Sequence, residues 1–144
     1  MTDTDGCLFC RIVAKGAAAH IVLDDADAVA FLDVRPLFPG HTLLVLREPH
    51  VALPDLPEAL VAPLFTRAQF LARAMVEVLG AAGSFVAMNN VVSQSVAHLH
   101  VHVVPRNPKD GLRGFFWPRS RYADDDEAAA TALRLRDGVA ALMG

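Results

Sequence analysis

His98-Leu99-His100-Val101-His102 places three of the chain's six histidines at strict alternation, inside an apolar run that continues to Val104. Successive side chains of a strand point to opposite faces. The three imidazoles therefore line one face, about 6.8 Å apart between neighbours at roughly 3.4 Å rise per residue. Leu99, Val101 and Val103 fill the other. Three coordinating, titratable rings on one face are too much chemistry for packing alone, so the strand is read as a functional centre.

The rest of the chain limits what that centre can serve. With 144 residues, the sequence is read as a single domain over 1-144, long enough for a sizeable core. Hydrophobic residues make up 53%, yet no uncharged apolar stretch approaches the length of a membrane span. The opening Met1-Thr2-Asp3-Thr4-Asp5-Gly6 is acidic and lacks the basic-then-apolar layout of a secretory signal, which predicts a cytoplasmic protein with no membrane partner. A net charge of −3 argues against general nucleic-acid binding. Locally the balance reverses: Arg106, Lys109, Arg113, Arg119 and Arg121 face only Asp110 between them. Such an excess directly after the histidines suits an anionic ligand, although a solvated loop has the same composition.

Cys7 and Cys10 are the only cysteines, spaced C-x-x-C. No strand is expected before them, which removes the βαβ context of a thioredoxin-like pair. A metal half-site completed elsewhere, or two small buried hydrophobes, remain as readings.

Outward from the histidines, the pattern predicts an α+β domain. Phe9 to Val13 reads as a helical turn. Ile21 to Leu23 and Ala28 to Leu32 read as strands joined by Asp24-Asp25-Ala26-Asp27, and Thr42 to Leu46 as a buried strand. A cap-like Asp55 starts helical structure, with a kink or restart expected at Pro63. Leu64, Ala68, Leu71, Met75 and Val78 form the apolar stripe of a long helix ending at Gly80. Ser84 to Asn89 supplies a further strand, and Asp124 to Glu127 opens a C-terminal helix reaching about Met143. The sum is a five-stranded antiparallel sheet with one long central helix, followed by a tail over 106-144 with a terminal helix.

Alternating histidines support a metal site or a phosphorus-directed nucleophile that forms a covalent intermediate. No carboxylate lies between Gly80 and Arg106 to orient metal-bound imidazoles. The preceding Asn89 to Ser95 offers uncharged donors and the following segment is basic, which favours a polyanionic ligand.

His98 to Val104 matches H-φ-H-φ-H-φ-φ (φ apolar), with Gln94-Ser95-Val96 before it and Pro105-Arg106 after it. Upstream lies Phe31-Leu32-Asp33-Val34-Arg35-Pro36-Leu37-Phe38-Pro39-Gly40-His41-Thr42-Leu43, and Cys7-Leu8-Phe9-Cys10-Arg11-Ile12 opens the pattern. In these segments the chain resembles the histidine-triad (HIT) superfamily of nucleotide hydrolases and transferases, over roughly two thirds of its length. The longer tail is more like the bacterial dinucleoside polyphosphate hydrolases than the compact phosphoramidases.

The resemblance implies His100 as nucleophile, with His98, His102 and His41 setting its tautomer and polarising phosphate. It implies Ser95 as a proton relay to the leaving group, and Gln94 and Asn89 as phosphate ligands. Asp33 would accept from ribose hydroxyls, while Val34, Phe9, Phe31 and Leu43 pack around the base. Trp117 and Arg119 become candidates for substrate selection. No catalytic cofactor is implied; a structural zinc on Cys7, Cys10, His50 and His98 is, as is a homodimer that extends the sheet. The expected reaction is cleavage at the α-phosphorus of a dinucleoside polyphosphate or nucleoside phosphoramidate through a nucleotidyl-histidine intermediate. The alternatives are a non-catalytic nucleotide-binding module and a metal-dependent hydrolase centred on the triad. One departure stands out: Val91-Val92-Ser93 occupy a loop where relatives carry glycines.

Overall fold

Short apolar runs become strands wherever a second layer covers them. The computed structural model describes residues 6–113 and 120–144, and the chain divides into one compact unit ending at Asp110 and another beginning at Gly111. The first unit contains α1 (Leu8–Val13), β1 (Ile21–Asp24), β2 (Ala28–Leu32), β3 (Thr42–Leu46), a 3-10 turn (Leu53–Asp55), α2 (Glu58–Glu77), β4 (Gly83–Ala87) and β5 (His100–Arg106). The five strands form one sheet in the order β1-β2-β3-β5-β4, every neighbouring pair antiparallel. This is the expected α+β architecture.

The sheet buries two different faces. On one, Ala28, Ala30, Leu44, Leu46, Val101 and Val103 pack with Leu64, Ala68, Leu71 and Met75 from the predicted stripe of α2. On the other, Val29, Phe31, Leu43 and Val45 pack with Phe9 and Ile12 of α1. Register places Phe31, Leu43, His102 and Ala87 in one cross-strand row and Val29, Val45 and His100 in the next. Directly paired residues share a face, so the histidines lie on the α1 side, as alternation requires.

Three expectations are corrected. Helix α2 runs through Pro63 without interruption. The proline lacks one backbone donor about a turn and a half into the helix, but Leu64, fully buried one residue later, anchors the segment to the sheet. Asp55 closes the 3-10 turn instead of capping α2: its carboxylate accepts from Ala52 N–H at 3.2 Å, and Pro57 occupies the helix N-cap. The β5 ladder starts at His100, because Leu99 donates its N–H to the His50 carbonyl at 2.7 Å and not to a neighbouring strand.

Two further features fix the site's frame. Arg67 of α2 reaches Asp25 through Nε at 2.9 Å and Asp27 through Nη2 at 2.9 Å, tying the β1–β2 turn to the helix. Gly40, at φ +101°, makes the turn before His41; a Cβ there would come within 2.5 Å of the Leu79 side chain. The conformation demands glycine, while the exposed Leu79 methyl would only have to swing aside. In the second unit, α3 (Asp125–Met143) is capped by Asp124, which accepts from Glu127 N–H at 2.8 Å, and none of its residues is buried.

Candidate active site

Four imidazoles converge on the α1 side: His98, His100 and His102 from β5 and its approach, and His41 from the turn into β3. His41, His98 and His100 are buried and His102 is partly so. His100 and His102 ring centroids are 5.0 Å apart, and His41 and His102 5.1 Å.

Hydrogen-bond partners decide where the protons sit, because a backbone carbonyl can only accept and a backbone N–H can only donate. His100 Nδ1 lies 2.8 Å from the His98 carbonyl, so it carries the proton and leaves the Nε2 lone pair bare. Leu37 N–H donates to His41 Nδ1 at 3.0 Å, which puts the neutral His41 proton on Nε2. That Nε2–H donates to His102 Nδ1 at 2.9 Å, leaving the His102 proton on Nε2. Asp33 Oδ2 is 3.7 Å from His41 Nε2, while its Oδ1 accepts from Arg35 N–H at 2.9 Å. Desolvation lowers the His41 pKa against the opposing pull of Asp33. Desolvation, with His100 and His41 adding to it, lowers that of His102 to about 4. The rings are thus held neutral at neutral pH.

Asp33, His41 and His102 also have ligand atoms within 4.8 Å of one another. A metal there would require removing the proton that His41 gives His102 and breaking the bond from Leu37. The arrangement is a hydrogen-bonded pair of imidazoles with a carboxylate beside it. The carboxylate absent from residues 80 to 106 comes from across the sheet.

His98 is the exception within the triad. Its ring turns away from His100 toward α1: Nε2–H donates to the Leu46 carbonyl at 3.1 Å, and Nδ1 lies 3.5 Å from Cys7 Sγ and 3.3 Å from Cys10 Sγ. The tautomer of His100 is set by the backbone of His98, not by its imidazole. Desolvation is the largest cause lowering the His98 pKa, and the Cys10 thiol is pushed up to about 11 by burial and then by Cys7.

Cys7, Cys10 and His98 bring three ligand atoms within 4.8 Å of one another. A second nitrogen tied to a carbonyl is the usual support of a metal-binding imidazole, so these three suit zinc. His50, the expected fourth ligand, is not in that set. Its Nε2 is buried and without a hydrogen bond; it stands 3.2 Å from Glu48 Oε1 in a direction unsuited to one. An orphaned buried nitrogen beside the cluster fits a ligand role.

Other expected residues land differently. Phe9 and Phe31 meet edge-on at 5.4 Å and Phe9 also stacks edge-on against His100 at 4.9 Å, so with Leu43 they form the buried floor of the site. Val34 is 85% exposed. Gln94 braces its own loop, accepting from Val91 N–H at 2.9 Å and donating to the Val51 carbonyl at 2.6 Å. Asn89 Nδ2 donates to the Ser93 carbonyl at 3.2 Å. Both amides are thus engaged with the loop itself. Ser95 borders a cavity of about 440 Å³ together with Cys7 and Cys10. Arg106 is held by Asp110 through bonds of 2.6 and 3.1 Å, which removes it from the pool of phosphate-binding cations. Trp117 and Arg119 lie outside the described residues. The backbone groups of Leu37, Leu46 and His98, which fix the tautomers, had no signal in the sequence.

An antiparallel sheet flanked by helices, presenting a histidine strand backed by a fourth imidazole and a carboxylate, defines the class. The chain belongs to the HIT family: the family described as "HIT domain" matches residues 14–109. The uncharacterized HIT-like protein Rv1262c of Mycobacterium tuberculosis is 34% identical over 130 residues, covering 89% of this chain and 90% of its own. Two relatives named for activities are the adenylylsulfatase HINT3 of Arabidopsis thaliana (27% identical; 77% of this chain, 57% of its own) and the adenosine 5'-monophosphoramidase HNT1 of Saccharomyces cerevisiae (29%; 74% and 66%). Among solved structures, SMU.412c of Streptococcus mutans superposes with a TM-score of 0.84 at 32% identity, over 96% of this chain and 87% of that one. A zinc-bound histidine triad family protein of Mycobacterium smegmatis does so at 0.72 and 34%, over 94% and 99%.

Proposed function

We infer that the protein is a nucleotide hydrolase that cleaves at the α-phosphorus of an adenine nucleotide, with His100 as nucleophile. The observation that carries this reading is the bond from His100 Nδ1–H to the His98 carbonyl, which fixes the ring's direction and, in the neutral imidazole, places the lone pair on Nε2. Attack by Nε2 forms an N–P bond as the bond to the leaving group breaks. His102 Nε2–H faces the increasingly negative phosphoryl group as a donor, held by the His41 Nε2–H that donates to its Nδ1, with Asp33 beside that same His41 nitrogen. Water then cleaves the N–P bond and releases AMP. Ser95 is the assigned proton donor to the leaving group.

The related adenylylsulfatase and monophosphoramidase support an adenylyl group as the conserved half of the substrate, with variable leaving groups. Two substrate classes follow, dinucleoside polyphosphates and adenosine phosphoramidates. With Arg106 spent on Asp110, recognition of a longer phosphate chain rests on Lys109, Arg113, Arg119 and Arg121. Zinc on Cys7, Cys10 and His98, with His50 as fourth ligand, would be structural. A homodimer is the proposed assembly: β4 ends the sheet, and α2 leaves Phe65, Phe70 and Val76 exposed. The test is His100→Ala assayed for AMP release from both substrate classes. Turnover is expected to vanish while the fold and AMP binding persist. Substantial turnover in the variant would reject the covalent mechanism, and no turnover in the unaltered protein would favour a nucleotide-binding module.

A further inference from the structure

The segment that leads into the histidine strand is held by the segment that leads into α2. Leu53 N–H donates to Asn90 Oδ1 at 2.8 Å, Gln94 Nε2–H donates to the Val51 carbonyl at 2.6 Å, and Leu99 N–H donates to the His50 carbonyl at 2.7 Å. Residues 90–99 are thus pinned at three points to residues 50–53, and Ser95 lies between the second point and the third. Between the first and the second the backbone is strained: Val91 and Ser93 adopt φ of 71° and 61°, a region that residues with a Cβ avoid. Such conformations persist only where the surroundings over-determine them, and they gather at functional sites.

The three anchors do different things. Leu99 N–H belongs to the peptide whose carbonyl, that of His98, accepts from His100 Nδ1, so the third anchor supports the nucleophile. Gln94 both donates and accepts, closing the loop on itself through Val91 N–H. Asn90 enters its anchor through its oxygen alone, as an acceptor. A carboxylate can fill an acceptor's place. It cannot fill that of an amide that binds phosphate, because it has no N–H to offer and its charge repels the ligand.

We propose that Asn90 is a positioning residue: by fixing the strained loop to the 3-10 turn, it holds Ser95 where its hydroxyl protonates the leaving group. Expulsion of an amine requires a proton on the departing nitrogen as the P–N bond breaks. The Ser95 hydroxyl gives that proton and takes one up from water in the cavity of about 440 Å³ that it borders. A p-nitrophenolate leaves as a stable anion and needs no such proton. Loss of the Asn90 anchor therefore slows expulsion of an amine and spares expulsion of the phenolate, because the support of His100 at the third anchor is untouched.

The catalytic part rests on the hydrolase reading above; the anchoring of the loop does not. Asn90→Ala and Asn90→Asp are made in the full chain, at an exposed position that leaves the core intact. Each is assayed on adenosine phosphoramidate and on the p-nitrophenyl ester of AMP, and hydrogen exchange is followed at the Leu53 amide. Asn90→Ala is expected to lose about tenfold or more in kcat on the phosphoramidate, to stay within about twofold on the ester, and to exchange faster at Leu53. Asn90→Asp is expected to restore both the phosphoramidate kcat and the slow exchange. Unchanged kcat in Asn90→Ala, an equal loss on both substrates, or unchanged exchange at Leu53 would each overturn the proposal. So would a loss in Asn90→Asp as large as in Asn90→Ala, which would make the side chain a donor to the ligand. If the unaltered protein turns over neither substrate, the hydrolase reading falls and the catalytic use of the loop falls with it, while Leu53 exchange in the two variants still decides whether Asn90 holds the loop.

Discussion

At His41, one ring joins two groups of fixed hydrogen-bonding sense. Leu37 N–H can only donate to Nδ1, so the proton on Nε2 is available to His102 and not to solvent. His41→Phe keeps most of the volume but leaves His102 Nδ1 without its donor, and lets His102 adopt the tautomer that presents a lone pair to the phosphoryl group. A loss of about 10²-fold in kcat is expected, the lower end of what a positioned proton donor contributes. Steady-state assays on adenosine phosphoramidate would show it, and an unchanged kcat would mean the His41–His102 pair does not serve catalysis. The imidazoles were legible from alternation alone, since period 2 puts them on one face whatever the rest of the fold does. Asp33 was legible only through the resemblance, because its approach to His41 depends on the β2–β3 turn. For the His98 ring, alternation gives a face but not which way the ring turns, and its place beside Cys7 and Cys10 was legible only through the resemblance.

Strand and helix periodicity made β2, β3, α1 and α2 legible because each has an apolar face matched to a layer that covers it. What failed was local chemistry overridden by packing, as at Pro63, or hidden in loops. The segment 89–95 is the clearest case. Val91 and Ser93 adopt φ of 71° and 61°, the left-handed region in which a β-branched residue is strained. Val91 N–H donating to Gln94 Oε1, Asn89 Nδ2 donating to the Ser93 carbonyl and Leu53 N–H donating to Asn90 Oδ1 at 2.8 Å hold the strain in place. Val91→Gly should relieve about 1–2 kcal/mol of it and lose part of that gain to the entropy of glycine in the unfolded chain. The urea midpoint is therefore expected to rise slightly; a fall would mean the valine side chain makes a contact worth more than the strain. Gly40→Ala has the opposite sign. It forces a Cβ into the Leu79 side chain at a positive φ and should cost about 1–3 kcal/mol, read from the same midpoint. Because that turn carries His41, the cost should be accompanied by lower kcat.

Across the molecule, the buried imidazoles make folding stability depend on pH. Burial lowers the His102 pKa from its ordinary 6.5 to about 4 in the folded chain, and those of His41 and His98 are lowered as well. Below the unfolded value the open chain binds protons that the folded one refuses, so stability is full above about pH 6.5 and falls as pH drops toward 4. For His102 alone, about 2.5 units at 1.36 kcal/mol each give on the order of 3 kcal/mol as an upper figure. Carboxylates act lower on the scale: Asp25, lowered first by its hydrogen bond to Arg67, contributes stability that is lost only as pH falls below its unfolded value near 3.8. A decline between pH 6.5 and 4.5 therefore reports the histidines. Among the described residues no helix is long and apolar enough to cross a membrane; the measurement is a set of urea titrations across this pH range. The midpoint should hold steady from pH 7.5 to 6.5 and then decline steadily, and His102→Gln should flatten part of that decline because its amide does not titrate. A midpoint independent of pH down to 4.5 would mean that His41, His98 and His102 take up protons as freely in the folded chain as in the open one, and the neutral His41–His102 pair on which the proposed chemistry depends would have to be abandoned.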